Sequence, residues 1–338
     1  VIFLRFLRCE LSKLPEKNGK KISIIGAGPA GLGAAGYLLC KGYEVKIYDA
    51  HPEPGGLLLF GIPDYRLNKQ GVRDGVKELI SSQRIEIFTN KMVGKDLELE
   101  DTMDGSDALL ISTGTLRTKR IGIACEESPF VLPSVEWLID YHRIKLGYKP
   151  MFGYESFLLR EPVGIIGGGL TAADAAHVSN FELKYKTKII YRRTKDVAPM
   201  GKVEASRLEK GGVEFLENLS PKEFICDEKK NLLGGFFYRT SMVGGKGREA
   251  KLIYGEVVRV DFFSAINAVG AKPTPPEGLE NLGIELTSEG TIKVDKMNMT
   301  NRKGIFAAGD VVVGPSKIGI ALKNGIDAAI NIDNFLSH

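Results

Sequence analysis

Lys21-Ile22-Ser23-Ile24-Ile25-Gly26-Ala27-Gly28-Pro29-Ala30-Gly31 is a short apolar run that breaks into a glycine-rich turn. Lys21–Ile25 reads as a buried strand, and an apolar helix runs from the turn to about Cys40. Glu44–Tyr48 (EVKIY) is the next strand, with Asp49 at its end. The spacing Gly26-x-Gly28-x-x-Gly31 has a physical logic. The first glycine makes the turn, the second lets the backbone approach a pyrophosphate, and the third lets the helix pack close to the strand. N–H groups at the helix start then meet the phosphates, and Asp49 would accept a hydrogen bond from a ribose hydroxyl. The competing reading of Asp49 is a solvated surface carboxylate.

The same grammar returns at Pro162–Ile166 (PVGII), followed by Gly167-Gly168-Gly169-Leu170-Thr171-Ala172, a helix, the strand Lys188–Tyr191 (KIIY), and then Arg192-Arg193. Here the second strand ends in guanidinium groups. A carboxylate at that place would repel a 2′-phosphate, whereas a guanidinium pairs with it. Arg192 and Arg193 therefore point to NADPH, with NADH as the alternative; the plainer reading is an exposed basic pair.

Further strands are expected at Asp107–Ser112, which leads into Thr113-Gly114, at Ser264–Val269, and at Gly304–Ala308, which leads into Gly309-Asp310. Phe224 to Asp261 reads as a meander with turns at Gly234-Gly235 and Gly244-Gly245, and Gly319 to Phe335 has helical periodicity. The order predicts an α/β chain of two nested Rossmann-like dinucleotide-binding domains. Residues 20–120 with 298–338 would bind FAD, residues 121–297 would be an inserted NAD(P)H-binding domain, and residues 1–19 an N-terminal extension. Asp310 could hold the ribityl chain of a flavin. The helix starting near Gly319-Ile320 would aim its positive end at the flavin and favour the reduced form.

The net charge of +4 gives no reason to invoke nucleic acid or an anionic membrane. No apolar run approaches the roughly 20 residues of a membrane span, and Val1–Leu14 has no clear signal cleavage site. A cytoplasmic location is the expectation. The cysteines, Cys9, Cys40, Cys125 and Cys226, form no C-x-x-C pair, so they read as four inert thiols with neither a redox disulfide nor a metal or cluster site.

Pro54-Gly55-Gly56-Leu57-Leu58-Leu59-Phe60-Gly61-Ile62-Pro63-Asp64-Tyr65-Arg66-Leu67 resembles the P-G-G-x-L-x-F-G-I-P-x-Y-R-L signature of the glutamate synthase small-subunit family. That group includes NADPH-dependent ferredoxin oxidoreductase subunits and the flavin half of dihydropyrimidine dehydrogenase. Tyr191-Arg192-Arg193-Thr194 is similar to its Y-R-R-[ST] segment, Gly304–Asp310 to its second flavin motif, and Thr113-Gly114 to its A-T-G turn. The resemblance implies a disulfide-oxidoreductase-like flavoprotein fold. It implies FAD contacts from Gly28, Pro29, Ala30, Asp49, Gly56, Arg66, Val93, Gly309 and Asp310, and NADPH contacts from Gly169, Leu170, Thr171, Arg192 and Arg193. Three departures stand out: Asp49 replaces the usual Glu, Leu170 the usual Asn, and Asp196-Val197-Ala198-Pro199-Met200 the E-M-P-A run. Many relatives also carry an N-terminal domain with two iron–sulfur clusters, whereas only about 20 residues, with the single Cys9, stand before the first strand here.

The resemblance implies an FAD-dependent NADPH oxidoreductase subunit that exchanges electrons with an iron–sulfur partner or a larger oxidoreductase, either partner docking through Val1–Leu14 or that segment lying frayed or folded back. The alternatives are an autonomous NAD(P)H:acceptor flavin reductase and a non-catalytic flavoprotein subunit. Direct hydride transfer needs no side-chain acid or base, so no catalytic residue is assigned, and His177 reads as structural.

Overall fold

A computed structural model describes residues 5–154, 159–244 and 250–337. In chain order the main elements are β1 (Lys21–Ile25), α1 (Pro29–Leu39), β2 (Glu44–Tyr48), α2 (Lys69–Ile80), β3 (Ile85–Phe88), β4 (Ala108–Ile111), β5 (Val131–Pro133), α3 (Ser134–Lys145), β6 (Val163–Ile166) and α4 (Leu170–His177). They continue with β7 (Thr187–Ile190), α5 (Lys202–Lys210), β8 (Glu214–Leu216), β9 (Leu219–Cys226), β10 (Leu232–Val243), β11 (Lys251–Val260), β12 (Ser264–Asn267), β13 (Ile305–Ala307) and α6 (Ile318–Ser337). Two compact units result, Val1–Leu116 with Lys272–His338, and Arg117–Ala271.

The first unit is built on a parallel sheet of order β13-β4-β1-β2-β3. Four of the five residues of β1 and all four of β4 are buried, as strands covered on both faces require. The strand order reverses direction between β1 and β4, and ligands of open α/β sheets bind beyond the carboxyl ends of strands at such a point. Helix α1 is rich in glycine and alanine because neighbours crowd it. A Cβ on Gly325 of α6 would fall 2.1 Å from Ala30 O, and one on Gly36 would fall 2.1 Å from Phe6 O.

That second contact settles the N-terminal segment as far as it is described. Phe6 is fully buried and Leu7 nearly so, while Arg5 pairs with Glu78 at 3.1 Å. Residues 5–7 are folded back on α1, so their apolar side chains are not offered to a partner; residues 1–4 lie outside the described residues.

The cysteines need correction. Cys9 is bonded to Cys40 and Cys125 to Cys226, with Cα separations of 5.9 and 6.3 Å, and none is free. Sequence separations of 31 and 101 residues hid both pairs; packing of the N-terminal segment on α1 brings the first pair together. Cys40 caps the far end of α1, about 16 Å of helix from the glycine turn, which makes this disulfide a staple. Cys9→Ser is expected to lower stability by about 2–4 kcal/mol in non-reducing buffer, read by denaturant unfolding with and without reductant.

The second unit repeats the plan with a parallel sheet of order β5-β12-β6-β7-β8, to which it adds an antiparallel ribbon, β9-β10-β11. The ribbon is the expected meander, but its first turn falls at residues 227–231 and not at Gly234-Gly235, which lie inside β10, with Gly235 paired on both sides. Gly244 follows the end of β10, and Gly245 lies outside the described residues. The division between units differs from the expected one. Residues 272–297 stand with the first unit because Leu279, Ile284 and Ile292 enter the core that holds Ile25, Leu109 and Ile111.

Candidate functional site

The glycine turn of the first unit separates two kinds of glycine. Gly26 has φ +100°, and a Cβ there would lie 2.5 Å from Ser112 O; on Gly31 it would lie 2.0 Å from Gly26 O. Those two glycines are demanded by the polypeptide itself. Gly28 is not: its φ of −78° suits any residue, and an added Cβ would meet no protein atom within 4 Å. The space that glycine leaves open lies at the N-terminus of α1, where Pro29 occupies the first helical position and the N–H groups of Ala30 and Gly31 have no intrahelical partner.

The Pro54-Gly55-Gly56 run lies on this turn. Gly55 N–H donates to Ala27 O at 2.8 Å, and a Cβ on Gly56 would stand 3.0 Å from Gly28 Cα. Asp49 is 5% exposed, so it is not a solvated surface carboxylate. It accepts from Ala27 N–H at 2.5 Å and from His51 N–H at 2.7 Å, which fixes it at the carboxyl edge of the sheet.

Across the switch point, Ser112 Oγ donates to Gly26 O at 2.9 Å. Thr113 Oγ1 is buried and has no hydrogen-bond partner among the described residues, an orphaned group of the kind a ligand satisfies. Gly114, at φ +75°, has open space where a Cβ would stand. Asp310 accepts from Ser316 Oγ at 2.6 Å, Ser316 N–H at 3.2 Å and Thr115 Oγ1 at 3.4 Å. Burial raises its carboxyl pKa above the usual value, against the pull of those donors. Gly309 N–H donates to Asn324 Oδ1 of α6 at 2.8 Å. Val93 is buried beside Gly94, Arg66 Nη2 donates to Tyr65 Oη at 2.7 Å, and Ile320 is half exposed in the first turn of α6. Thr115, Ser316 and Asn324 were missed from sequence. The only signal was that Ser316 directly follows Gly314-Pro315.

The second unit has the same two kinds of glycine. A Cβ on Gly167 would stand 2.4 Å from Ala268 O, and one on Gly168 would stand 2.5 Å from the Tyr191 ring, whereas Gly169 has nothing within 4 Å and an ordinary φ of −87°. Ala172, at the third motif position, is fully buried. Leu170 is 39% exposed at the start of α4, followed by Thr171. Met200 N–H donates to Gly168 O at 3.1 Å, which ties the 195–201 loop to the turn. The two arginines part company: Arg192 is exposed, while Arg193 is buried and donates from Nη2 to Ala250 O at 3.3 Å.

His177, at the end of α4, is not part of this cradle. Its Nδ1 faces Arg207 Nη1 at 3.3 Å and its Nε2 faces Glu182 at 3.5 Å. Arginine only donates, so Nδ1 accepts and the ring is neutral. Burial, helped by the Arg207 guanidinium, pushes its pKa down to about 4 from 6.5. The stability this contributes is complete above pH 6.5 and is lost as pH falls from there toward 4, by about 3 kcal/mol. Urea unfolding at pH 7 and pH 5 should show the loss, and His177→Gln should flatten it.

The family model for pyridine nucleotide-disulphide oxidoreductases matches residues 20–327. The chain belongs to the pyridine nucleotide-disulphide oxidoreductase family. Within it, the resemblance carried by residues 54–67 is borne out. The glutamate synthase [NADPH] small chain of Escherichia coli K12 is 32% identical over 333 residues, which are 95% of this chain and 70% of that one. The NADPH-Fe(3+) oxidoreductase subunit beta of Geobacter sulfurreducens (strain DL-1 / KN400) is 28% identical over 352 residues, 95% of this chain and 50% of that one. The chain thus spans only part of these relatives. Among solved structures, Mycobacterium tuberculosis FprA in complex with NADPH shares the fold, with a TM-score of 0.78 at 18% identity over 94% of this chain and 84% of that one. This family member is an oxidoreductase. Among its described residues no helix is long and apolar enough to cross a membrane.

Proposed function

We propose that this chain is an electron-transfer subunit that binds FAD in the first unit and NADPH in the second, and that exchanges electrons with an iron–sulfur partner protein. One observation carries the reading. Gly28 and Gly169 are the second glycines of two separate fingerprints, and at both neither backbone conformation nor packing calls for glycine. What each position leaves room for is a pyrophosphate at a helix N-terminus.

The residues around the two cradles fit the two nucleotides. Asp49, fixed by two N–H groups, would accept from the ribose of FAD, and Asp310, held by Ser316 and Thr115, would accept from its polyol chain. Thr113 Oγ1 would give FAD a further polar contact, and the N-terminal dipole of α6 would favour negative charge on its ring. Arg192, exposed at the end of the second strand of its fingerprint, supplies a guanidinium to the 2′-phosphate of NADPH. When bound, FAD supplies the hydride-accepting and electron-releasing chemistry. The protein's own contribution is to hold, orient and charge-match the nucleotides.

The partner is supported by the names of the relatives, which describe a small chain and a subunit beta. Anaerobic addition of NADPH to the purified protein should bleach the flavin band near-stoichiometrically, and an added ferredoxin should restore the colour. A yellow protein unmoved by NADPH and NADH would defeat the reading, and failure of ferredoxin alone would defeat only the partner.

A further inference from the structure

Three consecutive carbonyls fix the segment that presents Arg192. Leu219 N–H donates to Tyr191 O at 3.0 Å, and Asn218 N–H donates to Arg193 O at 3.3 Å. Between them, Thr240 Oγ1 donates to Arg192 O at 2.9 Å. The middle carbonyl is closed by a side chain because the Thr240 N–H is already committed to Asn218 O, at 2.8 Å. Asn218 turns the chain at φ +58° to make this possible. Below the segment, the Tyr191 ring packs on Gly168; beyond it, Lys195 N–H donates to the Glu217 carboxylate. The backbone is therefore held from Tyr191 to Lys195, while the Arg192 side chain stands in solvent.

The residues that hold it come from outside the nucleotide fingerprint. Leu219 begins β9 and Thr240 lies within β10 of the antiparallel ribbon. Thr240 is 8% exposed, so its hydroxyl acts in a site shielded from water, where leaving Arg192 O unpaired is costly. A guanidinium binds a phosphate well only when its fork arrives in the right plane, and a long flexible side chain loses less on binding when its root is already fixed.

We propose that Thr240 is a positioning residue that, through the Arg192 carbonyl, sets the preference for a nucleotide bearing a 2′-phosphate over one lacking it. The inference rests on the reading of Arg192 given above.

Calorimetric titration of the FAD-loaded protein with 2′-phospho-ADP-ribose and with ADP-ribose tests it, since the two probes differ only in that phosphate. Thr240→Val is expected to weaken binding of the phosphorylated probe about tenfold, the scale of one lost hydrogen bond, and to leave the other within about twofold. Thr240→Ser keeps the hydroxyl and should retain the wild-type preference; Arg192→Gln should remove most of it. Equal weakening of both probes in Thr240→Val, or no change in either, overturns the proposal. So does loss of preference in Thr240→Ser, which remains informative if the valine variant does not fold. If Arg192→Gln leaves the preference intact, the reading of Arg192 itself has failed. If Arg192→Gln abolishes it while Thr240→Val does not, only the role of Thr240 is lost.

Discussion

Gly28→Val yields a folded protein that purifies without colour. The expectation follows from two facts about the position: its φ and ψ of −78° and −174° are open to valine, and an added Cβ meets nothing within 4 Å. The polypeptide should therefore keep its stability to within about 0.5 kcal/mol, as for a substitution that touches no neighbour. The pyrophosphate is the group that loses its place. A branched side chain in its path removes close backbone contact along the helix start, and FAD affinity should fall by at least about a thousandfold, roughly 4 kcal/mol. The control is Gly31→Val, whose Cβ would fall 2.0 Å from Gly26 O; that protein should fail to fold. Far-ultraviolet circular dichroism and the ratio of flavin to protein absorbance distinguish the cases. A yellow Gly28→Val protein with wild-type FAD content would show that the open space is not the cofactor's. The same logic at Gly169 predicts a protein that stays yellow and no longer responds to NADPH.

The contrast between these glycines marks where sequence reading worked and where it stopped. Both fingerprints were legible because short strands buried on two faces read as unbroken apolar runs, and because a phosphate-binding turn needs its glycines at fixed spacing. The exchange of Asp49 for Arg192 at corresponding strand ends was legible for the same reason. Which glycine serves the chain and which serves a ligand was legible too, from its place in the fingerprint; the neighbours that enforce the difference, Ser112 and Ala268 arriving from distant strands, were not. Nor was the parting of Arg192 from Arg193. Past the end of a strand, side-chain direction depends on what covers it, and here the antiparallel ribbon covers Arg193 through Ala250. The Thr115 donor to Asp310 was hidden in the same way, because it lies 195 residues away in the chain. Residues 272–297 looked like part of the insertion because their apolar residues, Leu279, Ile284 and Ile292, are too scattered to show a period.

Phe6→Ala should cost about 3–5 kcal/mol, the range for emptying a fully buried phenylalanine site, a large share of a typical domain's 5–15 kcal/mol. Phe6 belongs to a segment that reads as a docking peptide, a frayed end or a stretch folded back on the core; the last holds for residues 5–7, since the Phe6 side chain is fully buried and its carbonyl oxygen would stand 2.1 Å from a Cβ on Gly36. Gly36→Ala should accordingly displace the segment from the other side. Alanine normally stabilises a helix over glycine by about 1 kcal/mol, so a destabilised Gly36→Ala protein would carry the opposite sign to helix propensity and report the contact directly. The Cys9–Cys40 bond keeps the displaced segment tethered; the loss in Gly36→Ala should therefore grow when that bond is reduced. Because α1 also carries the glycine turn at its other end, loosening its packing should speed FAD release as well. Denaturant unfolding and the rate of flavin fluorescence recovery measure the two effects. Wild-type stability in both variants would mean that the segment contributes nothing to the fold and is free to bind elsewhere.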